Sequence, residues 1–292
     1  MSRKIDSTQL AKLSARLERR GANLTTKFPK KEDYASLYAC LSDLGYHRFA
    51  ALDDYSAGPR VSPPDYKALG INRKAGAPSE QDIELYRQVT AGGELTKDGF
   101  VCPVILTDND LITDRYKVHS FRSITSLATK YLGRSNDNNH SLDVTEAAGR
   151  LIDIFIGTDS ATEMHEHYPS TALKVIDPLN PYEGAYSAVC GLMAFPAESQ
   201  STINKLKTGL VQDVSIAFRS DSVVCSLCLK PMESFFWFNY CEEHGFPGEI
   251  NEATGQPVVG IFTTCSDVRT FGHVSDGAAK RARYVLDYTA NT

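Results

Sequence analysis

Apolar residues recur at helical spacing near the amino end of the chain. Leu10, Leu13 and Leu17 fall on one face after Ser7, a residue type suited to an N-cap, and Gly21 supplies a stop, which predicts a short amphipathic helix. Tyr34, Leu37, Tyr38, Leu41 and Leu44 repeat the pattern between Glu32 and Gly45. Residues 52–80 are rich in Pro, Gly and Ser and read as a long exposed linker, followed by a helix near Gln81 to Gln88. The boundary of an N-terminal accessory region falls near residue 95, which divides the chain into 1–95 and a larger domain over 96–292.

Beyond that boundary strand and helix signals are mixed. Phe100 to Thr107 is a continuous apolar run of strand length, and Ser120 caps a helix running through Leu132, with Phe121, Ile124, Leu127 and Tyr131 on one face and Gly133 as its stop. Leu151 to Ile156, Ala185 to Met193, Val211 to Phe218 and Val258 to Phe262 are β-branched or aromatic segments bounded by turn formers, and a helix over Ser199 to Lys207 separates two of them. Neither repeated βαβ units nor a glycine-rich phosphate loop is present. The pattern predicts an α+β fold, a mixed β-barrel-like core with peripheral helices.

Composition changes this picture little: 42% hydrophobic and 23% charged residues exclude disorder and coiled coil for the whole chain. No run of eighteen apolar residues spans a membrane, and the amino terminus lacks the pattern of a secretory leader, so a cytoplasmic protein is expected. The charge of −5 is unevenly placed. Nine basic against two acidic residues through Lys31 make a basic arm of +7, leaving −12 for the remainder. Such an arm either docks on its own domain through its leucines or binds an acidic partner.

Cys225-Ser-Leu-Cys228 and Cys241-Glu-Glu-His244 are two short pairs separated by twelve residues. Each pair on a tight turn can direct both side chains at one point, and thiolate with imidazole is a donor set that zinc favours. Four protein ligands leave no open position, so the expected cofactor is one structural zinc per chain, held in a zinc-ribbon-like insert at about 222–250. Among the other cysteines, Cys40, Cys102 and Cys190 read as reduced thiols, the last two as core residues. Cys265 is a candidate fifth thiol close to the metal. His165 and His167 lack the spacing of a zinc-protease helix and read as a solvated loop. Asp108, Asp110 and Asp114 read as turn residues.

Ser215 lies in an apolar strand, where it shares a face with Asp213 and Ala217, and His140 lies in the polar loop of SNDNNHSLD. Four segments occur in order: Asn139-His140-Ser141, then Ala148 to Asp153, then Leu206 to Phe218 around Ser215, then the Cys/His pairs with Phe246-Pro-Gly248. Over roughly residues 95–280 this order resembles the head maturation (prohead) proteases of tailed bacteriophages, which are related in fold to the herpesvirus capsid-assembly proteases. The resemblance implies a herpesvirus-protease-like core and a serine endopeptidase that trims scaffold and capsid precursor inside an assembling procapsid in the host cytoplasm. Ser215 would be the nucleophile and His140 its general base, with backbone amides or Arg150 as oxyanion donors. Its implied partners are viral capsid and scaffold proteins, with a homo-oligomer possible and neither membrane nor specific nucleic acid involved.

The chain departs from the family where an acidic third member should orient the histidine. That position reads as Thr270, leaving Asp267 through a register shift, His273, or an incomplete triad. The departure supports an alternative expectation, a catalytically impaired protease-fold protein serving as a structural or scaffolding component of the particle.

Overall fold

The computed structural model describes residues 7–22, 24, 31–44, 62–138, 147–181, 184–235, 238–274, 279 and 281–286. His140 and residues 52–61 of the expected linker lie outside them. The described residues form an α+β fold with six helices around a curled, largely antiparallel half-barrel sheet.

The large sheet has the order β3-β11-β6-β12-β1-β5-β4. Its strands are β1 (Phe100–Asp108), β3 (Asn136–Asn138), β4 (Arg150–Asp159), β5 (Tyr186–Phe195), β6 (Asp213–Ser220), β11 (Cys265–Val274) and β12 (Arg283–Tyr284). Backbone bonds from Gly133 N to Leu151 O, Leu151 N to Arg134 O and Asn136 N to Gly149 O bring its edge strands β3 and β4 together. Every residue of β1 and β5 is buried, because both faces of these strands are covered. Strand alternation sends Cys102, Val104 and Leu106 inward. There they meet helices α4 (Phe121–Tyr131) and α6 (Gln200–Lys207). It sends Val101 and Ile105 outward, where α3 (Glu80–Val89) and the segment carrying Tyr66, Leu69 and Ile71 cover them. That segment corrects the expected exposed linker over 62–80, since its apolar residues close one side of the sheet.

The helices follow their sequence signals. Ser79 and Asp82 form a capping box at α3, and the buried Asp82 carboxylate also pairs with Arg73. Ser120 Oγ accepts the Ser123 amide 3.1 Å away at the start of α4 and donates to Thr263 O at 2.9 Å. A short helix α5 (Ser170–Ile176) has no counterpart in the sequence reading.

A second, three-stranded sheet, β2-β10-β7, is built from β2 (Lys117–His119), β7 (Val223–Cys225) and β10 (Gly260–Phe262). The ribbon β8–β9 (Glu233–Phe235 and Phe238–Tyr240) stands beside it. On this small sheet dock α1 (Ser7–Arg19) and α2 (Lys31–Asp43), with Leu13, Leu17, Leu37, Tyr38 and Leu41 buried against Tyr116, Val118, Val259 and Ile261. Burying each such side chain contributes about 1.5–3 kcal/mol before entropy is charged against it.

Asp110 and Asp114 lie in the bend and turn that follow β1, as read, whereas Asp108 ends the strand itself. Asp108, Asp110 and Asp114 are buried. Asp110 pairs with Arg281 and accepts the Leu111 and His165 amides at 2.8 and 2.9 Å, while Arg281 also donates to Ser62 O and Glu163 O. His165 and His167 are therefore half-buried on an anchored loop and are not freely solvated. Beside them, burial pushes Asp108 up to about 6.

Candidate metal centre and the Ser215 face

Two backbone knuckles form the candidate metal centre. In the first, Cys225 closes β7, and the Cys225 N to Lys230 O bond and the Leu229 N to Cys225 O bond fold the chain back so that Cys228 faces Cys225. Leu229 takes a left-handed φ of 60° there. In the second, Cys241 N and Gly245 N exchange bonds with each other's carbonyls at 2.7 and 2.9 Å, which returns His244 toward Cys241. Gly245 has φ +90°, which favours glycine, and a Cβ there would stand 1.9 Å from the Glu249 carboxylate, so a larger residue must displace that side chain.

The four ligand atoms lie within 4.8 Å of one another. Cys225 Sγ and Cys241 Sγ are each 3.6 Å from His244 Nδ1, and Cys228 Sγ is 3.6 Å from Cys241 Sγ. A tetrahedral ion with bonds of about 2.3 Å to sulfur sets ligand–ligand edges of about 3.8 Å, so the cluster is already close to the geometry of a bound cation. The Leu227 amide points at Cys225 Sγ at 3.5 Å, a donor suited to thiolate charge. Burial pushes the metal-free Cys225 thiol up to about 12, so ligation must release its proton. Lys230 and Glu243 pair across the two knuckles. The cluster could hold a metal ion, and the donor set is compatible with zinc. Cys265 is not part of it: this thiol is buried on β11 in the core under α4.

Ser215 lies half-buried on β6. It pairs with Gly272 of β11, and Gly272 pairs in turn with Asp137 of β3. Its Oγ makes no hydrogen bond among the described residues. Alternation along β6 places Val214 inward, so Ser215 and Asp213 share the outer face. Arg283 pairs with Asp213 on that face at 3.6 Å, and its buried Nε has no hydrogen-bond partner among the described residues. Asp267 pairs with Arg219, four residues along β6 from Ser215 and thus roughly 13 Å away. His273 pairs with Val214 and belongs to the inner face, where Asn136 Nδ2 meets its Nε2 at 3.1 Å and Tyr284 Oη its Nδ1 at 3.2 Å. Thr270 pairs with Ala217 beyond a register shift. Arg150, the suggested oxyanion donor, instead donates to Gly133 O at 2.9 Å.

Sequence reasoning missed Arg283 and the Asn136–His273–Tyr284 network. Their only sequence signal is that Asp213 and Ser215 share strand parity, which says nothing about which distant strand lies alongside.

Searches against protein-family models, curated proteins and solved structures find no match to this chain.

Proposed function

We propose that the chain is a metal-stapled serine endopeptidase of the head maturation kind, with a herpesvirus-protease-like core, Ser215 as nucleophile, His140 as general base and zinc in the four-ligand cluster. The observation that carries the reading is the position of Ser215. A half-buried hydroxyl with no hydrogen-bond partner among the described residues stands on a sheet strand, one glycine-bearing strand away from β3, and in sequence His140 follows β3 by two residues. In this reading the histidine takes the Oγ proton as the hydroxyl attacks the peptide carbonyl and returns it to the leaving amine. Zinc, when bound, cross-links two knuckles and supplies no catalytic step, because protein fills all four positions. The substrates are capsid precursor and scaffold inside a procapsid in the host cytoplasm.

A second reading, a structural particle component on the same fold, is favoured by one observation. None of the three candidate partners stands free beside Ser215: Asp213 is held by Arg283, Asp267 is displaced along the sheet and His273 is on the opposite face.

Purified chain incubated with its capsid precursor is expected to cleave it, and Ser215→Ala to abolish the cleavage. Cleavage that survives the substitution removes Ser215 from the mechanism. An inactive wild type recovered intact and ordered in mature particles establishes the structural reading instead.

A further inference from the structure

We infer that the metal centre is also the lock on the N-terminal helices, so that α1 and α2 stay docked only while a cation joins the four ligands. The inference rests on the metal-binding reading and adds to it a control over residues 7–44.

Strand alternation is the origin of the coupling. Neighbouring residues of a strand point to opposite faces, so a strand whose one residue ligates the metal offers the next residue to the other side. Cys225 faces the metal and Val224, beside it, faces the helices. Cys241 faces the metal, and Tyr240, beside it, packs against the helix core. Phe246, two residues after His244, is fully buried in that core and stacks near Phe238 and Tyr240 with ring centroids 5.8 and 6.0 Å away. Each ligand pair thus fixes part of the floor on which α2 rests.

The fit between floor and helix is close. Tyr34, Leu37 and Tyr38 of α2 meet Phe238, Asn239 and Phe246 around a cavity of only about 10 Å³, no more than one water. Arg115 sits 5.0 Å over the Tyr34 ring, and the buried Lys117 Nζ donates to Asn239 Oδ1 at 2.7 Å.

Neither partner is self-sufficient. The ribbon β8–β9 has three residues per strand and, among the described residues, pairs with no other strand, so it is marginal alone. Apart from the ligands its ties include the Val224–Pro231 bridge with the adjoining Met232 N to Val223 O bond, the Lys117–Asn239 bond and the buried Phe238 ring, the last of which depends on the helices themselves. Helices of thirteen residues are likewise marginal in isolation. The exposed pairs of Asp43 with Arg16 and Arg20 contribute little. Removing the cation frees β9 from β7, the aromatic floor loses its geometry, and the helices lose the burial that orders them.

Cys40 reports the state directly, because it is 0% exposed within this helix core, whereas Cys102 and Cys190 are 0% exposed in the large sheet. The full chain, with zinc content measured, is pulse-labelled with N-ethylmaleimide before and after chelation, and each cysteine is mapped by peptide mass spectrometry. Chelation is expected to raise Cys40 labelling at least about tenfold while Cys102 and Cys190 stay protected. Cys40 remaining as protected as Cys102 after zinc is gone overturns the lock, as does simultaneous opening of all three. A chain that takes up no zinc at all overturns the metal reading itself, a distinct result. Leu37→Asp, which touches no ligand, is expected to open Cys40 while zinc content stays unchanged; continued protection in that variant also overturns the lock.

Discussion

His119 carries a stability cost that can be measured. Its ring lies between Phe218 and Phe262, both centroids 5.1 Å away, its Nδ1 meets Ser123 Oγ at 3.0 Å, and its buried Nε2 has no partner among the described residues. Burial lowers it to about 3, against 6.5 for an ordinary histidine. Between those values the unfolded chain binds the proton and the folded chain does not, so this contribution to stability rises with pH through the window and is complete above 6.5. The loss is about 2 kcal/mol between pH 8 and pH 5. His119→Gln keeps a partner for Ser123 and removes the titration. Urea unfolding of both proteins at several pH values is expected to show the wild type losing about that much more than the variant; parallel pH profiles would exclude His119 as the source. The comparison cancels the metal centre's own pH dependence, which both proteins share.

At the scale of elements, the second knuckle depends on a single backbone conformation. Gly245 holds φ +90° next to the Glu249 carboxylate, whose own acidity burial shifts up to about 7. Gly245→Ala must strain the backbone or push Glu249 away, a cost of order 1–3 kcal/mol. Because the same turn aims His244, metal affinity is expected to fall by roughly ten- to a hundredfold in competition with a chromophoric chelator. An unchanged affinity would show that the turn does not set the ligand geometry. This cluster was legible in the sequence because each ligand pair is local, with two residues between its members across a turn, and the two turns lie close along the chain. The amphipathic helices and the long strand β1 were legible for a related reason, since their periodicity is contained in one stretch. Strands β2, β3, β7, β8 and β9 were not. Three residues carry no period, and β2 is defined only by pairing with β10 more than a hundred residues away. The burial of Lys117 and His119 left no sign in the sequence for the same reason. The face of His273 was legible by alternation, which turns it away from Thr270, and the unbroken register from Thr270 to His273 agrees; the position of Asp267 was not, because a register shift separates Val268 from Thr270.

For the molecule as a whole, the two sheets meet at one aromatic seam. Phe218 belongs to β6 of the large sheet, and His119 and Phe262 belong to β2 and β10 of the small one. The Phe218 and Phe262 rings meet edge-on with centroids 5.0 Å apart. On one side lies the core of α4 and α6 within the half-barrel; on the other lie the metal cluster and the docked helices. A cooperative transition requires that opening one side expose enough surface on the other to destabilise it, and the seam is where that surface is shared. Phe262→Ala removes the central ring from a nearly closed site at a cost of about 3–5 kcal/mol. The loss should weaken communication between the sides as well as total stability. Calorimetry of the zinc-loaded variant is therefore expected to resolve two transitions where the parent shows a more nearly single one. Chelation should move only the transition of the small sheet, metal and helices, and leave that of the half-barrel in place. A single transition that simply shifts to lower temperature would mean that the sheets are coupled elsewhere, through the chain crossings rather than through the seam.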